Sequence, residues 1–381
     1  MHVTTHRHIK PHLDFGAIIN FIKTNAVLVI ATVLAIATCF IVPPDSEYFS
    51  YFDYKTLACL FSVLAVVCAL RNVKFFTVVS TKIVLLFKNT RSAVLALVYV
   101  TFLGSMLIAN DMALLTFLPL GYFVLTKTGK QKLMAFTFIM QNVAANLGGM
   151  LTPFGNPQNL YLYTAFNIPT GDFMLTMLLP FVISVSLITL CCLFIKKEAL
   201  VTDRELTPLP KFKTIFYLVL FTLSIVMVFR VIPYYIGLII IVISLFIMDR
   251  KALKQVDYGL LFTFVAFFVF AGNMARIPAV KDLLCFLMNV NPLIFSVLSC
   301  QVISNVPSAI LLSKFTTNYH ALLVGVNIGG VGTLISSLAS LITFREYVKH
   351  NPKKTLYYIG LFSLINFSFL IILTTIMSFV I

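Results

Sequence analysis

A few polar side chains in this sequence stand where nearly every neighbour is apolar. Asn110 and Asp111 follow "FLGSMLIA", and Asn305 follows "SVLSCQVIS". Asn146 and Thr152 bracket "LGGML", while Asn327 and Thr333 bracket "IGGVG". Asparagine and threonine oxygens, joined by carbonyls that a broken helix releases, suit a hard cation such as sodium. Helix N-termini facing the same gap offer free N–H groups and positive dipole ends, which suit an anion. Asp111 is the carboxylate that falls deepest in an apolar run, where an acid serves as a cation ligand or a proton-coupling group. Asp also favours helix N-caps, a role compatible with either. The stretch "NLGGMLTPFGNPQNLYLY" at 146–163 adds two prolines and Gly155, which end a helix where packing glycines would only tighten it.

The elements that position these residues are membrane helices. The chain is 60% hydrophobic and 11% charged, with a mean hydropathy of +1.00, against roughly 25% charged in a soluble domain. Apolar runs of spanning length recur, as at 25–43, 172–195, 213–232 and 355–381. The expected fold is an all-α polytopic membrane protein. The net charge of +15 lies in short clusters between apolar runs, the pattern of the positive-inside rule, so no nucleic-acid partner is expected. The seven cysteines lie in or beside apolar spans without C-x-x-C spacing and read as packing residues. His2, His6 and His8 read as part of a solvated tail. Intramembrane enzymes need paired aspartates, a Ser/His dyad or H-E-x-x-H, none of which is found.

Lysine and arginine order the spans. Residues 1–24 form a cytoplasmic tail, and the basic linker 196–212 divides 25–195 from 213–381. In the first half, 72–90 lies along the inner surface. The stretch 92–126 has basic clusters at both ends and forms a re-entrant hairpin with "NDMALL" at its tip. A broken helix follows at 132–166. In the second half, 276–290 is an outer surface helix, 292–317 a hairpin with "SNVPSA" at its turn, and 320–344 a broken helix. "LIANDMALL" matches "VISNVPSAILL", and "NLGGMLT" matches "NIGGVGT". The same order of elements with opposite charge topology reads as an inverted repeat, the architecture of many secondary transporters.

These paired motifs, with "TPFGNPQNL" and "GTLISSLASL", resemble the citrate-transporter-like branch of the ion transporter superfamily. That branch includes divalent-anion/sodium symporters and, more distantly, arsenite permeases and sodium/proton antiporters. The resemblance implies a homodimeric secondary transporter of a small anion, a di- or tricarboxylate or an inorganic oxyanion, working by an elevator mechanism. It carries Asn110 and Asn305 over to the substrate, Asn156 to a first cation site and Thr333 to a second, and with the residues' own chemistry the candidate substrate contacts are Asn110, Asp111, Ser304, Asn305 and Pro157. Sodium or a proton would be held among Asn110, Asp111, Asn146, Thr152, Gly155, Asn156, Asn159, Asn305, Asn327 and Thr333. No cofactor is expected, and sodium is the candidate coupling ion. The expected setting is the bacterial inner membrane, with lipid around the helices and the N-terminus in the cytoplasm. The tips here read Ala109-Asn110-Asp111 and Ser304-Asn305-Val306, so neither has the Ser-Asn-Thr triplet of the dicarboxylate members. "GNPQN" (155–159) is matched by "SSLAS" (336–340), so the two ion sites need not be equivalent. An alternative reading makes Asp111 the carrier of a cation/proton antiporter or a metalloid exporter.

Overall fold

The computed structural model describes residues 25–199 and 208–381. The N-terminal histidines and the centre of the basic linker lie outside this range. The chain is an all-α polytopic membrane protein. Six helices among the described residues are long and apolar enough to span a bilayer. They include α2 (Tyr54–Asn72), α4 (Thr90–Ile108), α8 (Thr170–Leu193), α9 (Lys211–Val228) and α12 (Tyr258–Arg276). The sixth is α18 (Thr355–Ser378) with the turn before it. Shorter helices complete the body: α1 (Ala26–Cys39), α3 (Phe75–Leu85), α10 (Tyr234–Met248), α11 (Arg250–Lys254) and α13 (Pro278–Val290). Large apolar side chains point outward along α8, α10 and α18, with Leu175, Ile247 and Leu364 each about two-thirds or more exposed. Such a surface belongs in hydrocarbon.

The two hairpins are the pairs α4 with α5 (Asn110–Lys127) and α14 (Pro292–Ile303) with α15 (Asn305–Leu312). A single residue joins the arms of each, Ala109 at φ 64°, ψ 152° and Ser304 at φ 75°, ψ 160°. This region is essentially reserved for glycine, so both tips are strained turns of one kind. Each hairpin is followed by an interrupted helix. The chain runs through α6 (Met134–Gly148), a 3₁₀ turn at Gly149–Leu151 and an extended segment before α7 (Pro157–Ala165). Later it runs through α16 (Tyr319–Ile328) and an irregular segment before α17 (Leu338–His350).

Capping chemistry sets several of these starts. Asp53 accepts from the Thr56 amide at α2, and Asp257 from the Leu260 amide at α12, both at 2.9 Å. Close packing fixes the hairpin arms against the interrupted helices. A Cβ on Gly148 would strike the Phe102 carbonyl oxygen of α4, and one on Gly329 would lie 2.8 Å from Cys300 of α14. The stretch 72–90, expected to lie along a surface, forms α3 over Phe75–Leu85 with Phe76, Val78 and Val84 buried. Its lysines stay at the ends and on the outer face while its apolar side packs inward.

Candidate functional site

Four helices begin in the wall of one cavity of about 130 Å³, and two more, α1 and α12, begin at its rim. Its wall takes Asn110 and Asp111 from the start of α5, Pro157 and Gln158 from α7, Ser304 and Asn305 from the second tip, and Leu338 from α17. Asn25 and Asp257, at the starts of α1 and α12, and Arg345 of α17 complete the rim. Leading N–H groups of four helices thus surround one space, a concentration of positive dipole ends that favours an anion.

The tips are built alike. The Asn110 carbonyl oxygen Oδ1 accepts from the Asp111 amide, and Asn305 Oδ1 from the Val306 amide, both at 2.9 Å. Asn110 and Asn305 are each 4% exposed. Thr152 Oγ1 donates to the Met106 carbonyl at 2.9 Å, and Thr333 Oγ1 to the Gln301 carbonyl at 3.1 Å, tying each break to its hairpin. The sequence-predicted asparagines are then joined, the first pair within the first half and the other two across the halves. Asn110 donates to Asn146 at 3.3 Å, Asn156 to Asn327 at 3.4 Å, and Asn327 to Asn159 at 2.6 Å. Gly155 closes the turn of the first break through its N–H to the Thr152 carbonyl. Asn146, Thr152, Gly155, Asn156, Asn159, Asn327 and Thr333 therefore form the layer behind the cavity, and Asn110, Asp111, Pro157, Ser304 and Asn305 form its wall.

The released carbonyls are satisfied differently in the two breaks. Asn159 Nδ2 donates to the carbonyls of Gly149, Met150 and Thr152. In the second break Gln301 Nε2 donates to Gly329 and Val331, and Ser336 Oγ to Gly330 and Thr333. Gln301 Oε1 also accepts from the Thr333 amide at 2.9 Å. Among the side chains at the two tips and breaks, the oxygens without a donor are on the first side: Asp111 Oδ1, Asn156 Oδ1 and Gln158 Oε1 are buried and unbonded. Their counterparts by motif are Val306, Ser337 and Ala339, of which only Ser337 has a side-chain oxygen, and it pairs with Ser340 at 2.9 Å.

The seven cysteines are free, and no group of three or more His, Cys, Asp or Glu gathers among the described residues. With two asparagine tips, two interrupted helices and one polar cavity in place, comparison with known sequences becomes decisive. The profile of citrate transporters matches residues 17–321. The chain belongs to the citrate transporter family.

It is 36% identical over 302 residues to a protein of Methanocaldococcus jannaschii named as an uncharacterized transporter. That match covers 78% of this chain and 82% of the relative. It is 29% identical over 308 residues to the inner membrane protein YbiR of Escherichia coli, covering 77% of this chain and 80% of the relative. This citrate transporter family member is thus an integral membrane transporter. Its site also includes residues that sequence reasoning did not single out. Gln158 sits inside "GNPQN" and Gln301 four positions before the second tip, so an amide within an apolar arm was a readable signal for both. Asp257 and Arg345 gave no such signal. Asp257 reads as a cap and Arg345 as one of a basic cluster, and only the packing of α12 and α17 brings them to the rim.

Proposed function

We propose that this transporter carries a small carboxylate dianion or trianion together with a cation, by secondary active transport. The observation that carries the reading is the convergence of four helix starts and Arg345 on one cavity. Arg345 lies seven residues beyond Leu338, about 10 Å along the helix. Cationic character is therefore offered at two separated points, which suits an elongated polyanion better than a compact oxyanion. A carboxylate at the tips would take N–H groups of α5 and α15, and a second would meet the guanidinium, which binds carboxylates in bidentate fashion.

The coupling cation, sodium or a proton, belongs on the first side. Asp111, Asn156 and Gln158 present buried oxygens that no protein donor satisfies, a set that fits a hard cation or a shared proton. The second break has its carbonyls donated to by Gln301 and Ser336, which supports a single cation site. The alternative in which Asp111 drives exchange uses the same oxygens and differs in the direction of the ion.

Alternating access by re-entrant hairpins in an inverted repeat is supported by the matched tips, the matched threonine ties and the matched capping aspartates. The basic clusters support a reading in which Asp257, Arg345 and the cavity mouth face the cytoplasm. A homodimer moving as an elevator in an inner membrane extends the same reading. The test is uptake of labelled di- and tricarboxylates into proteoliposomes under imposed sodium or pH gradients. Saturable, gradient-driven uptake is expected. Flux without saturation, or none for any carboxylate under either gradient, would overturn it.

A further inference from the structure

A second cavity, of about 720 Å³, shares no lining residue with the one just described. It is an open pocket where α4 begins, α5 turns into α6, α8 ends and α18 begins. Thr90, Lys130, Lys132, Lys196, Glu198 and Tyr357 supply its polar wall. Phe136, Phe194 and Leu361 supply an apolar one.

The polar wall is held by the backbone. Thr90 Oγ1 donates to the Lys196 carbonyl at 2.5 Å and accepts from the Glu198 amide at 2.9 Å. The Thr90 amide donates to the Glu198 carbonyl, and Arg91 Nε to the Ile195 carbonyl at 2.8 Å. The segment after α8 is thereby clamped against the start of α4. Glu198 pairs with Lys130, whose ammonium holds that carboxyl below the usual carboxylate range. Three lysines against one glutamate leave a net +2, and neither Lys132 nor Lys196 has an ion pair among the described residues.

The apolar wall opens directly onto the lipid-facing surface. Phe194 is 80% exposed, and Leu190 and Leu193 of α8 and Leu364 of α18 continue the apolar strip from it. A ligand of this cavity therefore needs a net negative head and a hydrocarbon tail. We infer that the cavity is a binding site for an anionic phospholipid, its headgroup phosphate on Lys132 and Lys196 and an acyl chain along Phe194 and Leu361. Basic pockets between helix ends at a cytoplasmic surface favour such headgroups. A zwitterionic lipid leaves the net charge uncompensated, and a free phosphate leaves the apolar wall unused.

The test is thermal unfolding of the purified full chain in detergent with added phosphatidylglycerol, phosphatidylcholine or inorganic phosphate. A ligand that binds the folded state raises the midpoint with its occupancy, by about 2 °C at a tenfold excess over Kd. Phosphatidylglycerol is expected to give this rise and the other two much less. The Lys132→Gln/Lys196→Gln variant is expected to lose the rise, while Lys251→Gln/Lys254→Gln, on α11, keeps it. Equal response to both lipids, equal response to phosphate, or an undiminished rise in the Lys132/Lys196 variant overturns the inference. So does a rise that emerges only in Asp203→Asn/Glu205→Gln, which would assign the cavity to the chain's own acidic segment.

Discussion

At the scale of single residues, the informative atoms are the ones left without partners. A buried acceptor with no donor costs about 1–3 kcal/mol, more when charged. Three of them belong to the first tip and first break: Asp111 and Gln158 line the cavity, and Asn156 lies in the layer behind it. An arrangement of that cost persists where a ligand or proton completes it. Asp111→Asn keeps the shape and removes the charge. It is expected to leave the unfolding midpoint close to the parent's and to abolish the dependence of uptake on the cation gradient. Uptake that still tracks the gradient in this variant would remove Asp111 from the coupling site. Ala109 tests the other local feature, since its φ of 64° with ψ 152° suits only glycine well. Ala109→Gly should raise stability by about 1 kcal/mol, read as a higher thermal midpoint.

At the scale of elements, each break is a loop of irregular backbone whose carbonyls need donors away from water. A single amide does this in the first half, Asn159, while in the second Gln301 shares it with the Ser336 hydroxyl. Gln301→Ala strands the Gly329 and Val331 carbonyls and the Thr333 amide, and should cost about 2–4 kcal/mol. Gln301→Glu keeps the acceptor but withdraws the donors, so it should be destabilised nearly as much. A midpoint unchanged in both would show that the carbonyls find other partners. Packing of hairpin against break sets a second limit. Gly148→Ala pushes a methyl into the Phe102 carbonyl oxygen, and overpacking of this kind costs about 1–3 kcal/mol. The loss should appear in thermal unfolding and lower the fraction of folded protein recovered from membranes.

At the scale of the whole molecule, the cavity exists because α5, α7, α15 and α17 begin in one place and α12 and α17 close its rim. Arg345→Gln removes the one cationic side chain among the described residues that line the cavity. It should raise KM for a dicarboxylate about tenfold or more, a charge-assisted hydrogen bond being worth about 1.5–3 kcal/mol. It should barely change KM for a monocarboxylate, and equal loss for both would deny Arg345 a place on the second carboxyl group. The membrane class, the helix order, the two asparagine tips and the family were all legible in the chain. Hydropathy and helix breaking are local properties, and the matched motifs "NLGG" and "NIGG" lie in continuous stretches. The role of Gln301 was readable in part, as an amide in an apolar arm. Its three partners in the break were not, because they lie 28 to 32 residues away. The asymmetry of unbonded oxygens and the arrival of Asp257 and Arg345 at the cavity were decided by tertiary structure alone. Whether a polar atom has a partner, and which charge faces which space, depends on atoms that only packing brings together.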